Sequence, residues 1–298
     1  MSTRPAEERA PVPVTSARRK LALEAQGFRH NSFWVGLGKA GRKALLSVGR
    51  WKRYAGPHDA IYRRGQNSDF AFVLLDGHVK AVLNADTRHP TMLALRYPGQ
   101  ILGEDEALEV SGTPVRAMTM QPLHRVEGIL ITRDRFQGFL NQHPTAWPAL
   151  SRELLTRLNE AEERLGQQAS EAANSRLAKA LVSLIDYPMA VRLGSSRMAV
   201  PLTQAELASW IGASRETVER ILRDWRDRDI VATAYRSIVV LRPNDLIRIS
   251  GLLRHWSVPL NHPSAAPHFV QARARVARRL YPSAIGSRPR PQPVSPIR

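Results

Sequence analysis

Ser214 opens a stretch in which Arg215, Glu216, Thr217, Glu219, Arg220 and Arg223 are interleaved with Val218, Ile221, Leu222 and Trp225. The four apolar residues recur at i, i+3, i+4 and i+7, the pattern of a helix with one buried face. Serine is among the residue types that cap such a helix. The opposite face then presents guanidinium and carboxylate groups, with Arg215 and Glu216 in the first turn. A guanidinium fork can bond guanine O6 and N7 together, and a carboxylate can accept from cytosine N4. Other chemistries find no residues. Nine histidines form no HExxH, no GxSxG is present, and Gly36-Leu37-Gly38 opens no phosphate-binding strand-turn-helix. With no cysteine there is no disulfide, thiolate zinc site, iron–sulfur cluster or cysteine nucleophile, so the expectation is a protein that is not an enzyme and holds no metal.

The elements around that helix must fix its direction. Thr203 and Glu206 form a capping box, so a preceding helix starts at Gln204, passes Leu207, Trp210 and Ile211, and stops at Gly212. Two helices therefore meet at a tight turn. After them, 230–233 and 237–241 read as short strands about 234–236, a wing that carries Arg236. Charged outer faces are common on any surface helix, and a Glu216–Arg220 pair adds only local support. Capping box, glycine turn, capped basic helix and wing in sequence favour DNA binding.

Upstream, the spacing predicts strands at 60–63, 70–75, 78–83, 92–96, 116–120 and 126–131, punctuated by Gly65, Gly77, Gly99 and Gly103. This is a small antiparallel β domain. A helix is expected over 37–48, another capped by Thr132, and a longer one from about Pro148. In the long helix Leu150, Leu154, Leu158, Ala161, Leu165 and Ala172 are spaced 4, 4, 3, 4 and 7 apart, a heptad-like stripe. Such a stripe either packs on its own domain or forms a dimer seam.

Composition sets the partners. The 298 residues leave room for two domains of about 150 each, and the 43 % hydrophobic content is ordinary for a folded chain. No apolar run approaches the ~20 residues of a membrane span. No apolar stretch follows the N-terminal arginines as in a secretory signal, so a cytoplasmic location is expected. Forty-four Lys and Arg against 26 Asp and Glu give a net charge of +18, which points to a polyanion. Residues 251–298 hold eight arginines and no acid, and 1–17 and 282–298 are rich in Pro, Ser and Arg. Both ends read as flexible basic arms, while 269–281 has the makings of a short basic helix.

Residues 202–240, LTQAELASWIGASRETVERILRDWRDRDIVATAYRSIVV, closely resemble the DNA-binding domain of the Crp/Fnr family of bacterial transcription regulators, with SRETVERIL among that family's most specific stretches. The β domain resembles that family's cyclic-nucleotide-binding roll. The resemblance covers roughly 35–245. It implies an α+β chain: an antiparallel β-roll joined by a long dimerisation helix to a C-terminal winged helix-turn-helix. The corresponding division is a basic arm at 1–30, a sensory roll at 31–146, a dimerisation helix at 147–174, the winged helix-turn-helix at 175–250 and a basic tail at 251–298. The resemblance further implies Thr203, Ser214, Arg215, Glu216, Thr217, Glu219, Arg220, Arg223 and Arg236 at DNA, Leu150, Leu154, Leu158, Ala161 and Leu165 at a homodimer seam, and double-stranded DNA and RNA polymerase as partners.

In that family a Gly-Glu loop, a short helix and an Arg-Ser/Thr-Ala segment hold the nucleotide, with Glu on the ribose 2′-hydroxyl and Arg on the cyclic phosphate. The matching residues are Gly103 and Glu104, then Arg116 and Ala117, so cAMP or cGMP is the implied ligand. Asp105 and Glu106 stand where a phosphate would want bare N–H groups, Met118 replaces a small residue, and a second register puts Thr113 in the arginine position. The central helix carries Ala161-Glu162 where cAMP responders place hydroxyls. The competing expectation is a roll with another ligand or none, in which Glu104 and Arg116 simply pair. Iron–sulfur sensing is excluded by the absence of cysteine. Haem is not expected either: no histidine lies between 101 and 123, and His78 and His124 read as surface strand residues. A reading from another class makes the chain a nucleotide-binding or protein-interaction module with only non-specific polyanion binding.

Overall fold

The computed structural model describes residues 24–25, 28–83, 85, 90–104, 115–186, 191–192 and 198–251. The arm at 1–23, the loop with Asp105, Glu106 and Thr113, the 269–281 run and the rest of the tail lie outside the described residues. Two compact units divide between Ser170 and Glu171.

The first unit begins with helices α1 (Phe33–Gly36) and α2 (Gly38–Val48), followed by strands β1 (Arg50–Tyr54), β2 (Phe70–Asp76), β3 (Val79–Leu83), β4 (Thr91–Arg96), β5 (Ile101–Leu102), β6 (Thr119–Pro122) and β7 (Val126–Thr132), and ends with α3 (Arg133–Gln142) and α4 (Ala146–Ser170). The strands form two antiparallel sheets, β1-β7-β2-β5 and β4-β3-β6. Alternation along β2 explains the layering. Phe72 and Leu74 point between the sheets, onto Val79, Ala81, Ala94 and Val126. Val73 and Leu75 point the other way, onto Phe33, Trp34, Leu45, Phe136 and Phe139 of the helices.

Several expectations need correction. The 60–63 strand is only a bridge between Tyr62 and Met120, and the strand expected from 116 starts at Thr119. Between Val115, bridged to Asn67, and β6, the chain turns Arg116 inward. Thr132 precedes α3 but makes no side-chain cap bond. Leu150 is buried in the helix-side core with Ala146 and Ala149 and is not on a free face, because the first turns of α4 still lie against α1 and the first sheet. Ala172 falls beyond the end of α4. His78 is buried, its ring edge-on to Tyr97 and beside His124, so it is no surface residue.

The second unit contains α5 (Ala173–Asp186), β8 (Val191–Arg192), β9 (Met198–Val200), α6 (Gln204–Ile211), α7 (Arg215–Asp227), β10 (Val231–Ala234), β11 (Ser237–Val240) and α8 (Pro243–Ser250). Its sheet runs β10-β11-β9-β8, antiparallel throughout. Leu177, Leu181, Leu207, Val218, Leu222, Trp225 and Leu246 are all buried. No described helix is long and apolar enough to cross a membrane.

Candidate nucleic-acid interface and ligand site

The helix pair is built as its residue types demand. The Thr203 hydroxyl accepts the Glu206 N–H at 3.2 Å and the Glu206 carboxylate accepts the Thr203 N–H at 2.8 Å, the reciprocal capping box. Gly212 ends α6 in the left-handed region at φ 62°, where a side chain is strained. Arg176 of α5 donates to the Ile211 carbonyl at 2.9 Å and the Gly212 carbonyl at 3.3 Å, satisfying the open end of the turn. Ser214 then caps α7 by accepting the Thr217 N–H at 3.1 Å. Thr203, Ser214 and Thr217 thus spend side-chain capacity on holding the two helices.

What α7 presents is charge. Arg215, Glu216, Arg220 and Arg223 are exposed, while Val218, Ile221, Leu222 and Trp225 are buried. The ion pair that forms is Arg215 Nε to Glu219 Oε1 at 2.8 Å, in place of the expected Glu216–Arg220 pair. Glu219 therefore orients the first-turn guanidinium at little cost in stability, since both groups are solvated. The Glu216 N–H and the Ser214 hydroxyl hold the Glu216 carboxyl below its ordinary range, so it is an acceptor at neutral pH. Beside the helix, the wing turn of Tyr235 and Arg236 projects into solvent, with Arg236 at φ 52° and Tyr235 88 % exposed.

In the first unit Gly103 and Arg116 meet. Gly103 is at φ +72°, and a Cβ there would lie 2.1 Å from Arg116 Nη1, so only glycine admits the guanidinium. Arg116 is 1 % exposed, stacks over Tyr62 at 4.0 Å and Phe70 at 4.7 Å, and donates to the Gly103 carbonyl at 3.3 Å and to the Phe70 carbonyl. Glu104 also forms an ion pair. Its partner is Arg157 of α4, which also bonds Glu153 and the Ile101 carbonyl. Burial alone would depress the Arg157 pKa, but the Glu104 and Glu153 carboxylates and their hydrogen bonds drive it up. Ala117 follows Arg116 on the surface.

Sequence reasoning passed over Glu153 and Arg157. Glu153 is 1 % exposed, accepting the Phe33 N–H at 2.6 Å and the Ile101 N–H at 3.1 Å. Further along α4, Glu160 pairs with Arg29 at 3.0 Å and Arg164 donates to the Leu93 carbonyl. Glu153, Arg157, Glu160 and Arg164 are spaced 4, 3 and 4 apart, a heptad-like stripe of charge that was visible in the sequence. It is this stripe that α4 turns onto the roll. The leucine stripe faces outward: Leu154, Leu155, Leu158 and Leu165 are 38, 59, 53 and 66 % exposed, and Ala161 is partly exposed.

Comparison with known proteins finds a domain family within each unit. Residues 52–143 match the cyclic nucleotide-binding domain family and residues 175–249 the Crp-like helix-turn-helix domain family. A CRP-like cAMP-activated global transcriptional regulator of Mycobacterium tuberculosis is 25 % identical over 188 residues, 63 % of this chain and 83 % of that protein. The cAMP-activated global transcriptional regulator CRP of Salmonella typhimurium is 26 % identical over 184 residues, 60 % of this chain and 84 % of its own. These relatives are transcription regulators, not enzymes. A CRP-family transcriptional regulator from Thermus thermophilus shares the fold with a TM-score of 0.58 at 23 % identity, over 67 % of this chain and 96 % of the other. With a cyclic nucleotide-binding domain followed by a DNA-binding Crp-like helix-turn-helix, the chain belongs to the Crp/Fnr family of transcription regulators.

Proposed function

We propose that this regulator acts as a cytoplasmic homodimer that reads a palindromic DNA site with paired α7 helices, recruits or blocks RNA polymerase there, and is controlled by a cyclic purine nucleotide in the roll. One observation carries the reading of DNA: an exposed guanidinium, braced by Glu219, in the first turn of a Ser214-capped helix. That is where a recognition helix meets base edges. Glu216 supplies a carboxylate acceptor beside it, while Arg220, Arg223 and Arg236 are placed for phosphates.

Dimerisation through α4 is supported by the outward leucine stripe. Three exposed leucines, Leu154, Leu158 and Leu165, recur at heptad-like spacing, and a second copy of α4 has the matching pattern to cover them. Leu154, Leu158, Ala161 and Leu165 make this seam, joined by Leu155.

The roll's residues fit the nucleotide. Arg116, packed against Gly103, and Glu104 together offer a guanidinium for a phosphodiester and a carboxylate for a ribose hydroxyl. The bound nucleotide would supply a phosphodiester charge and a ribose 2′-hydroxyl that α4 would feel through Arg157, since Arg157 already bonds Glu104. The Mycobacterium and Salmonella relatives, both named as cAMP-activated, support the same class of ligand.

Leu158→Glu tests the assembly. Burying paired carboxylates in the seam is costly without partners, so the variant is expected to sediment as a monomer and to lose binding to a two-half-site operator. A variant that stays dimeric would place the seam elsewhere.

A further inference from the structure

Tyr235 is 88 % exposed, and among the described residues of the second unit it is the one large apolar side chain left in water. It stands with Arg236 at the tip of the wing, where Ala234 of β10 pairs with Ser237 of β11 and two residues make the turn. Arg236 lies in the left-handed region at φ 52°. Glycine or asparagine normally fills such a turn position, because a longer side chain is strained there. Among the described residues neither tip side chain has a hydrogen bond, ion pair or ring contact. Strain and a bare aromatic ring at one point mark a contact made with something outside the chain.

The root of the wing is fixed to the last turn of α7. The Trp225 carbonyl accepts the Ile230 N–H at 2.8 Å, and the Ile230 carbonyl accepts the Leu241 N–H at 2.9 Å, so both strands start from that helix. Ser237, Ile238, Val239 and Val240 are buried along β11, which makes the arm rigid. From this root the four residues of β10 carry the tip roughly 13 Å away, at about 3.3 Å per residue. The major groove is about 12 Å wide. With α7 in that groove, an arm of this length reaches the backbone that borders it and the minor groove beyond. There Arg236 meets phosphates, while the flat ring of Tyr235 meets deoxyribose faces and the groove floor.

We propose that Tyr235 reads the DNA outside the half-site: its ring lies in the minor groove at the base step flanking the α7 contact and selects A·T pairs there over G·C. This rests on the reading that α7 enters the major groove. The selectivity has a physical source. A G·C pair puts the guanine N2 amino group on the minor-groove floor, where an A·T pair leaves room for the edge of a ring. TA steps, in addition, unstack readily when a side chain presses on them.

The test uses the inverted repeat that the full chain selects from a randomised duplex library, synthesised with A·T, G·C or inosine·cytosine pairs in the step outside each half-site. Inosine·cytosine lacks the N2 amino group, so it resembles A·T in the minor groove and G·C in the major groove. By fluorescence anisotropy, the unaltered protein should bind the A·T and inosine·cytosine flanks alike and the G·C flank about 5-fold more weakly, the low end of what one wrong base pair costs. Tyr235→Ala should level the three, and Tyr235→Phe should keep the preference, since the ring carries it. Arg236→Asn, which suits the left-handed turn, should weaken all three equally and lower the salt slope by about 0.9. The inosine arm uses the unaltered protein, so it holds whatever the variants do. An inosine·cytosine flank that behaves as G·C, or a preference that survives in Tyr235→Ala, overturns the inference. If the library yields no repeat, the reading of DNA by α7 fails and this inference with it. If it yields a repeat that binds all three flanks equally, only the inference fails.

Discussion

Glu153→Ala is expected to destabilise the first unit by about 3–5 kcal/mol, the cost of breaking a buried ion pair by removing one partner. The carboxylate answers three donors at once: the Phe33 N–H of α1, the Ile101 N–H of β5 and the Arg157 guanidinium. Alanine leaves two buried N–H groups without their acceptor and takes one of the two carboxylates from Arg157, and each orphan donor is costly on its own. Calorimetric melting of Glu153→Ala, Arg157→Leu and the double variant checks this. Because the two side chains share one network, the double variant should be destabilised by clearly less than the sum of the singles. Additive losses, or a Glu153→Ala effect under about 1 kcal/mol, would mean that α4 is not clamped to the roll through this residue.

That clamp also shows where reading the sequence stopped. A leucine every three or four residues says that α4 has an apolar face, but not what lies against it. The natural assumption, that the apolar face packs inward, holds only for Leu150 at the start of the helix. Beyond it the charged stripe goes inward, because backbone groups of β4 and β5 and the Glu104 carboxylate need partners there. The helix-turn-helix was legible for the opposite reason. Thr203, Glu206, Gly212, Ser214 and the Val218-to-Trp225 spacing all act within a turn or two of their own position, so local rules suffice. Strand β1 was missed because RWKRY carries three cations. As an edge strand paired only with β7, it can expose Arg50 and Lys52 while Tyr54 is buried. The family resemblance assigned Gly103, Glu104 and Arg116 to one ligand site, but not Arg157 as a partner of Glu104, since Arg157 is 53 residues away in sequence.

Arg215→Ala should cost about 1–3 kcal/mol at each half-site, so a dimer that uses the contact twice loses roughly 2–6 kcal/mol on its operator. The loss should be selective. Operators with the contacted G·C pair replaced should bind the variant as well as the original operator does, because the residue that distinguished them is gone. Arg223→Ala, by comparison, should weaken all duplexes alike and lower the salt slope by about 0.9 per phosphate contact removed. A uniform loss from Arg215→Ala would reassign that residue to the phosphate backbone.

Sequence-specific reading by paired α7 helices is tested most directly by selecting duplexes from a randomised library with the full chain and sequencing those retained. The expected result is one inverted repeat, its half-sites centred about one helical turn, 10–10.5 base pairs, apart, each holding a G·C step that disappears from the selected sequences when Arg215→Ala replaces the unaltered protein. Recovery of the library with no enriched sequence would contradict the account and leave the +18 charge acting as a non-specific polyanion binder.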